Sequence, residues 1–524
     1  MNHLSKDRPF EFVPLNEQEA DDSSKPLHTA DFDDEVATVT KDKGEPANAM
    51  DKSTYTAEEA VEAAGFGCYQ FRLCVVCGIL WSADAMEMLL LSILGPALRC
   101  QWNLPSQQIA AITTVVFVGY LIGSPIWGFM SDKFGRWPIF MIVLSMICYF
   151  GLLTAVSPTY VWVLILRFTV GFAIGGGSSS ICLLMEYLPV KSRAKVQIGN
   201  GVFWAFGSTF EVGLAYLLLP RFGWRWVVFA TAVPLALFLF LLKFLPESLR
   251  YLVTAGRTEE AEEVLRQMFT ANKVQPLDGR LVAPKARKRG NIKDFFSKTY
   301  LATTLLLPLI WFCAAFSYYG VVLLSAEIFR FRHDCFGNQN QSSNFQGEAS
   351  KLDSSCCAEL TNDDYVAMLI SSVGEFVNIP LLIVSVDCLG RKLSMGIWYG
   401  VTGISFFMLY ICMPKEVMTG VMFVLRSLSS GLLTLVYLYT SEVYPTTVRA
   451  VALGMFSSIA RLGAMSTPYV AQVMMPEVSQ IGALSLYAGI SLVCSFLCFF
   501  LPIETLGRQL SDSTEDSAHD RAND

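Results

Sequence analysis

Long apolar runs separated by short polar stretches fill most of this chain. They fall at roughly 72–98, 108–130, 139–157, 160–184, 196–219 and 225–245, then 301–326, 364–386, 393–413, 418–441, 450–474 and 483–501. Each is near the length of about 20 residues that a helix needs to cross a bilayer. The stretch 1–70 reads differently: acidic residues such as Asp21-Asp22 and Asp33-Asp34-Glu35 crowd it. It buries too little apolar surface to fold and carries no cleavable signal peptide. Thr56-Ala57-Glu58-Glu59 is a capping box ahead of a short membrane-proximal helix that Gly65-Phe66-Gly67 ends. The pattern predicts an acidic tail over 1–70, six helices over 71–245, a linker over 246–300, six more helices over 301–502 with a long loop at 327–363, and a tail over 503–524. The linker opens with a helical stretch, Glu259-Glu260-Ala261-Glu262-Glu263, and turns basic at Lys285-Ala286-Arg287-Lys288-Arg289.

The two sets of six are copies. Gly128…Asp132…Gly135-Arg136 returns as Asp387…Gly390-Arg391, Glu186…Pro189…Arg193 as Glu442…Pro445…Arg449, and Pro246-Glu247-Ser248 as Pro502-Ile503-Glu504-Thr505. Asp132 to Asp387 is 255 residues, Glu186 to Glu442 is 256 and Pro246 to Pro502 is 256. Order and spacing kept together imply a duplicated unit, which is how a transporter built from two parallel repeats reads.

Composition agrees, with 53% hydrophobic and only 16% charged residues and a mean hydropathy of +0.44, against about 25% charged in soluble domains. The net charge of −7 sits largely in the acidic tail, so no nucleic-acid partner is implied. Lys and Arg concentrate in the loops that share a face with the tail, which predicts that both termini are cytoplasmic. The opposite face then holds a glycosylation sequon at Asn340 together with Cys335, Cys356, Cys357 and Cys100. Four such cysteines allow two disulfides in three connectivities, and bridging of at least one pair is expected in an oxidising compartment. With only His333 nearby, no metal site is expected. The linker holds no phosphate-binding loop, so nucleotide hydrolysis is not supported. No nucleophile–base set appears, no cofactor is implied, and the chain is not expected to be an enzyme.

The loop motifs, with Arg167-x-x-x-Gly171, resemble the sugar-porter and organic-ion branch of the major facilitator superfamily from about Glu58 to Arg508. Ala57-Glu58-Glu59-Ala60-Val61-Glu62-Ala63-Ala64-Gly65-Phe66-Gly67, Ala83-Asp84-Ala85-Met86-Glu87, Ala315-Phe316-Ser317-Tyr318-Tyr319-Gly320 and Leu501-Pro502-Ile503-Glu504-Thr505 look like its synaptic vesicle 2-related group. The resemblance implies an all-α membrane protein of twelve transmembrane helices in the major facilitator fold. It also implies a monomeric transporting unit in a secretory or synaptic vesicle membrane, touching lipid and a small-molecule substrate the family does not name. Asp132, Arg136, Glu186, Arg193, Asp387, Arg391, Glu442 and Arg449 are expected to form gating salt bridges. Ile383 stands where the repeat has Gly128, a departure from the close packing the motif implies.

Charges deep inside spans are the candidates for chemistry, because a lone one costs about 2.5–3.5 kcal/mol at bilayer centre. Asp84 and Glu87, three residues apart, share one face of the first span. Two carboxylates so placed repel when both are ionised, and a carboxylate that titrates near neutral pH is what proton coupling requires. At 1.5 Å per residue, Arg167 in the fourth span lies about 6 Å in depth from Glu87, and its side chain reaches either acid. These positions are similar to the coupling pair of proton-coupled sugar porters; a permanent structural ion pair is the other reading. Glu211, Glu375 and Arg461 are equally deep. Four acids against two bases slightly favour a cationic substrate, while Arg461 suits an anionic group. Phe203, Trp204, Tyr318 and Tyr319 are the better candidates for cavity aromatics, and Gly171-x-x-x-Gly175-Gly176-Gly177 reads as tight helix packing. The expected function is secondary transport of a small organic ion by alternating access, with or without proton coupling; the alternative is a membrane-resident binding or regulatory protein that keeps the fold without turnover.

Overall fold

The computed structural model describes residues 54–282, 295, 297, 300–331 and 360–506. Asn340, Cys335, Cys356, Cys357 and His333 lie outside the described residues, as does the basic stretch of the linker. The first half comprises Cys68–Trp102, Ser106–Phe134, Arg136–Ala155, a broken fourth span (Tyr160–Ile174 and Ser178–Glu186), a fifth (Val190–Gly199 and Gly201–Phe222) and Trp224–Leu241. The second half comprises Leu301–Phe331, Asn362–Leu389, Arg391–Met408, Lys415–Val443, Thr446–Pro468 continued by the π-helical Tyr469–Val478, and Gln480–Phe499. The spans are numbered one to twelve in that order. Nine of the described helices are long and apolar enough to cross a membrane, and Tyr160–Ile174 is a shorter apolar one.

Packing repeats with the sequence. The first span lies against the fifth, the second against the fourth and the third against the sixth; in the second half the seventh lies against the eleventh, the eighth against the tenth and the ninth against the twelfth. Glycines set the closest of these approaches, because a Cβ there would enter a neighbouring backbone. At Gly171 it would lie 2.1 Å from the Val116 carbonyl oxygen and at Gly119 2.3 Å from that of Phe168, which locks the second and fourth spans together. Gly207 meets Ser82 O at 2.2 Å in the first half, and Gly463, 256 residues on, meets Phe312 O at 2.4 Å in the second. Gly128 plays no such part: nothing lies within 4 Å of its Cβ position. Ile383 in its place therefore removes no close contact.

Between the halves the fifth span meets the eighth and the second meets the eleventh. The capping box at Thr56 forms, with Thr56 N donating to Glu59 Oε2 at 2.8 Å and Glu59 N to Thr56 Oγ1 at 3.3 Å. Its short helix, Ala57–Ala64, rests on the linker helix Thr258–Asn272. Asn272 fastens this assembly to the first span, accepting from Tyr69 N at 3.0 Å and donating to Gln70 Oε1 at 2.7 Å.

Candidate functional site

Two matched clusters occupy the basic face, one in each half. The third span begins at Gly135 (φ +96°) and the ninth at Gly390 (φ +80°), a region that favours glycine. The freed amides of each helix start find a carboxylate: Glu247 accepts from Arg136 N at 2.7 Å and Trp137 N at 3.2 Å, and Glu504 from Arg391 N at 2.9 Å and Lys392 N at 3.1 Å. Beside each sits an ion pair, Arg136–Glu186 at 2.9 Å and Arg391–Glu442 at 2.9 Å. The second carboxylate oxygens accept from Ser248 Oγ at 2.5 Å and Thr505 Oγ1 at 2.6 Å. Other residues of the predicted salt-bridge set show further contacts. Asp132 and Asp387 are exposed and hold no ion pair among the described residues, and Arg193 and Arg449 donate to the backbone carbonyls of Leu188 and Tyr444. Glu247 and Glu504 were visible in the repeat, but only the fold shows them capping helices.

Deep in the first half, Arg167 donates to Glu87 at 2.8 Å, with 0% and 3% of the two residues exposed. Asp84 does not join that pair. Its carboxylate nests at the break in the fourth span, where a Cβ on Gly177 would lie 2.1 Å from Oδ2. The glycine run therefore makes room for an acid as well as packing helices. Glu211 flanks the Glu87–Arg167 pair and has the Thr231 hydroxyl 2.9 and 3.1 Å from its two oxygens.

The second half holds a buried pair that the sequence reading did not include. Arg426 in the tenth span donates Nε to Glu375 at 2.7 Å, and both residues are 1% exposed. Arg426 follows Arg167 by 259 residues, three more than the offset of the loop motifs, and lies in the tenth span, the counterpart of the fourth. Glu375 also accepts from Tyr318 OH at 3.2 Å and, across the half boundary, from Ser208 Oγ at 2.9 Å. Trp204 donates to Tyr318 OH at 2.6 Å and packs on Trp81 with ring centroids 5.2 Å apart. Phe203 is instead a packing residue, its ring covering Gly78. Arg461, mid-way along the eleventh span, is partly exposed, its guanidinium 3.8 Å from the Tyr120 ring centroid and 2.7 Å from its hydroxyl.

On the face opposite the basic loops, buried Arg99 reaches across to Glu327 at 3.6 Å and to the Gln472 carbonyl at 3.4 Å. Pro476, four residues past Gln472, has no N–H to donate to that carbonyl. Thr113 Oγ1 adds a contact to Gln472 Oε1 at 3.5 Å. Among the described residues, every hydrogen bond that crosses between halves lies at mid-span or toward this face. Cys412, which the sequence reading did not place in a bridge, is disulfide-bonded.

A family profile described as "Sugar (and other) transporter" matches residues 41–331 and 357–516. The synaptic vesicle 2-related protein of Pongo abelii is 42% identical over 481 residues, 92% of this chain and 86% of its own. SVOPL of Homo sapiens is 38% identical over 460 residues, 87% of this chain and 93% of its own. Among solved structures, the partially occluded inward open xylose transporter XylE from E. coli matches with a TM-score of 0.62 at 20% identity, over 84% of this chain and 100% of that one. The proton:xylose symporter XylE bound to 6-bromo-6-deoxy-D-glucose matches at 0.60 and 18%, over 86% and 99%. Twelve spans in two repeated halves, a matching family profile and relatives aligned over most of their length agree: the chain belongs to the sugar (and other) transporter family of the major facilitator superfamily, beside the synaptic vesicle 2-related proteins.

Proposed function

We propose that this chain is a secondary active transporter of a small organic ion, working by alternating access in a vesicle membrane with its basic face toward the cytoplasm. The observation that carries the reading is the asymmetry of the contacts between halves. Cross-half hydrogen bonds hold one face together, while at the other each half keeps its ion pair and helix cap to itself. Two bodies joined that way rock about a central site. Buried Glu87–Arg167 supplies a proton-coupling pair at that site, since protonating Glu87 releases the guanidinium and ionising it recaptures it. Arg426 removes most of the acid excess that favoured a cation: Glu87 and Glu375 are each spent on an arginine, and Glu211 is held by Thr231.

Reconstituted vesicles test this directly. Preloaded with members of a panel of organic anions, cations and sugars, they are expected to show counterflow of at least one labelled member. A folded preparation without counterflow for any of them makes the chain a binding or regulatory protein instead.

A further inference from the structure

The linker helix Thr258–Asn272 has two working faces. Ala261, Leu265, Met268 and Phe269 form its buried side. Glu263, Arg266, Gln267 and Thr270, spaced three and four residues apart, form a polar stripe beside it. Asn272 fixes the end of this helix to Tyr69 and Gln70 in the first turn of the first span, so the stripe comes to share a cleft with Arg72, one turn further along. The cleft measures about 520 Å³ and is lined by Arg72, Glu263, Arg266, Gln267, Thr270 and Ala271.

The donors around this cleft are free to take a ligand. Arg72 makes no side-chain hydrogen bond or ion pair among the described residues, and its guanidinium lies 5.3 Å from the Tyr69 ring centroid. Arg266 is paired with Glu263, but the two side chains are 71% and 46% exposed, and an exposed pair of this kind holds weakly. The Gln267 amide donates to the same carboxylate at 3.1 Å, and Thr270 Oγ1 donates to the Arg266 carbonyl at 2.8 Å. Two guanidinium groups, an amide and a hydroxyl on one cleft are a donor set for phosphate oxygens, and two arginines against one glutamate leave it cationic.

The position of the cleft selects the source of the phosphate. Phe71, next to Arg72, is 63% exposed, and Phe66, just ahead of the span, is 50% exposed. Exposed aromatics at the end of a span belong at the level of lipid headgroups. A lipid seated there lays its acyl chains beside Phe71 and presents its headgroup to Arg72. One net charge holds a free anion poorly in salt, whereas a lipid is already concentrated at the membrane surface. The headgroup must also displace Glu263 from Arg266, which calls for a phosphomonoester of nearly two charges rather than a phosphodiester of one. The volume exceeds what bare phosphate fills and takes a sugar-sized ring.

We propose that this cleft binds the headgroup of an inositol phospholipid carrying phosphomonoesters, with Arg72 and Arg266 holding one phosphate between them. The linker helix also supports the short helix Ala57–Ala64, whose neighbour in sequence and space, the fifth span, begins where Glu62 accepts from Val190 N at 3.0 Å. A bound headgroup therefore braces the first span, the linker helix and the start of the fifth span as one body.

Neither the site nor its test depends on transport. The full-length chain, purified in detergent, is titrated calorimetrically with short-chain phosphatidylinositol bisphosphate. Phosphatidylserine at matched charge and inositol trisphosphate, the same headgroup without acyl chains, are the comparisons. The wild type is expected to bind the bisphosphate lipid saturably and at least about tenfold more tightly than either, and Arg72→Gln and Arg266→Gln should each weaken it by about tenfold. Glu263→Gln should tighten binding, a gain that misfolding cannot produce, while Arg250→Gln, an exposed cation outside the cleft, should leave it unchanged. Equal affinity for phosphatidylserine, unchanged affinity in the cleft variants, or an equal loss in Arg250→Gln would each overturn the proposal in favour of general attraction to the basic face. Inositol trisphosphate binding as tightly as the lipid would overturn it in favour of a soluble phosphate ligand.

Discussion

At the scale of residues, the buried pairs divide what the sequence showed from what only packing decided. Asp84, Glu87 and Arg167 were legible as charges too deep in apolar runs to be idle. Which acid takes the arginine was not, because both lie on one helical face and the Arg side chain reaches either. Packing decides it: Gly177 opens a seat for Asp84 and leaves Glu87 to Arg167. Gly177→Ala should therefore push the Asp84 carboxylate from its seat and abolish proton-driven uptake while substrate exchange persists; an unchanged response to a pH gradient would separate Asp84 from coupling. Arg167→Ala strands Glu87 beside Glu211 without a counter-charge, and breaking a buried pair costs about 3–5 kcal/mol. Glu87→Gln removes a charge but keeps an acceptor. Thermal unfolding of the purified variants should rank Arg167→Ala well below Glu87→Gln, and equal midpoints would mean the pair contributes little. Arg426 was not legible from the repeat, because the loop motifs align Arg167 with Phe423 and put Arg426 three residues further along the tenth span.

At the scale of elements, twelve spans were legible from apolar runs alone, since lipid demands backbone bonds closed within each helix. Their interruptions were harder to read. The fourth span breaks at Gly175-Gly176-Gly177 and the eleventh passes into a π-helix at Tyr469, directly after Pro468, yet both lie in continuous apolar sequence that gives no boundary. Glycine also misleads by identity alone: the motif glycine Gly128 faces open space, whereas Gly171 touches backbone. Gly171→Ala should thus wedge the second and fourth spans apart and lower folded yield in detergent, while Gly128→Ala should express and melt like the wild type. Equal behaviour of the two variants would contradict the packing described here.

At the scale of the whole molecule, the two halves are near copies that meet through unlike surfaces. The basic face keeps each Arg–Glu pair within its own half, and the opposite face joins the halves through Arg99, Glu327 and Gln472. The family resemblance implied salt bridges among the loop residues without fixing their partners, and nothing in the motifs pointed to Arg99, which reads as an ordinary loop cation at the end of a span. Arg99→Ala should loosen that closure. Single cysteines placed behind it, in a background lacking reactive thiols, should then label faster from the vesicle interior side, and unchanged labelling would show that Arg99 is not part of the closure. The central claim is that this molecule couples substrate movement to a proton through its first-span acids. Its most direct test is uptake into proteoliposomes under an imposed pH gradient, compared between wild type and Glu87→Gln for a substrate found by counterflow. The account predicts that the gradient concentrates substrate through the wild type, and that Glu87→Gln exchanges substrate across the membrane but gains nothing from the gradient. Gradient-driven accumulation of equal size in both would show that the Glu87–Arg167 pair only holds the helices together.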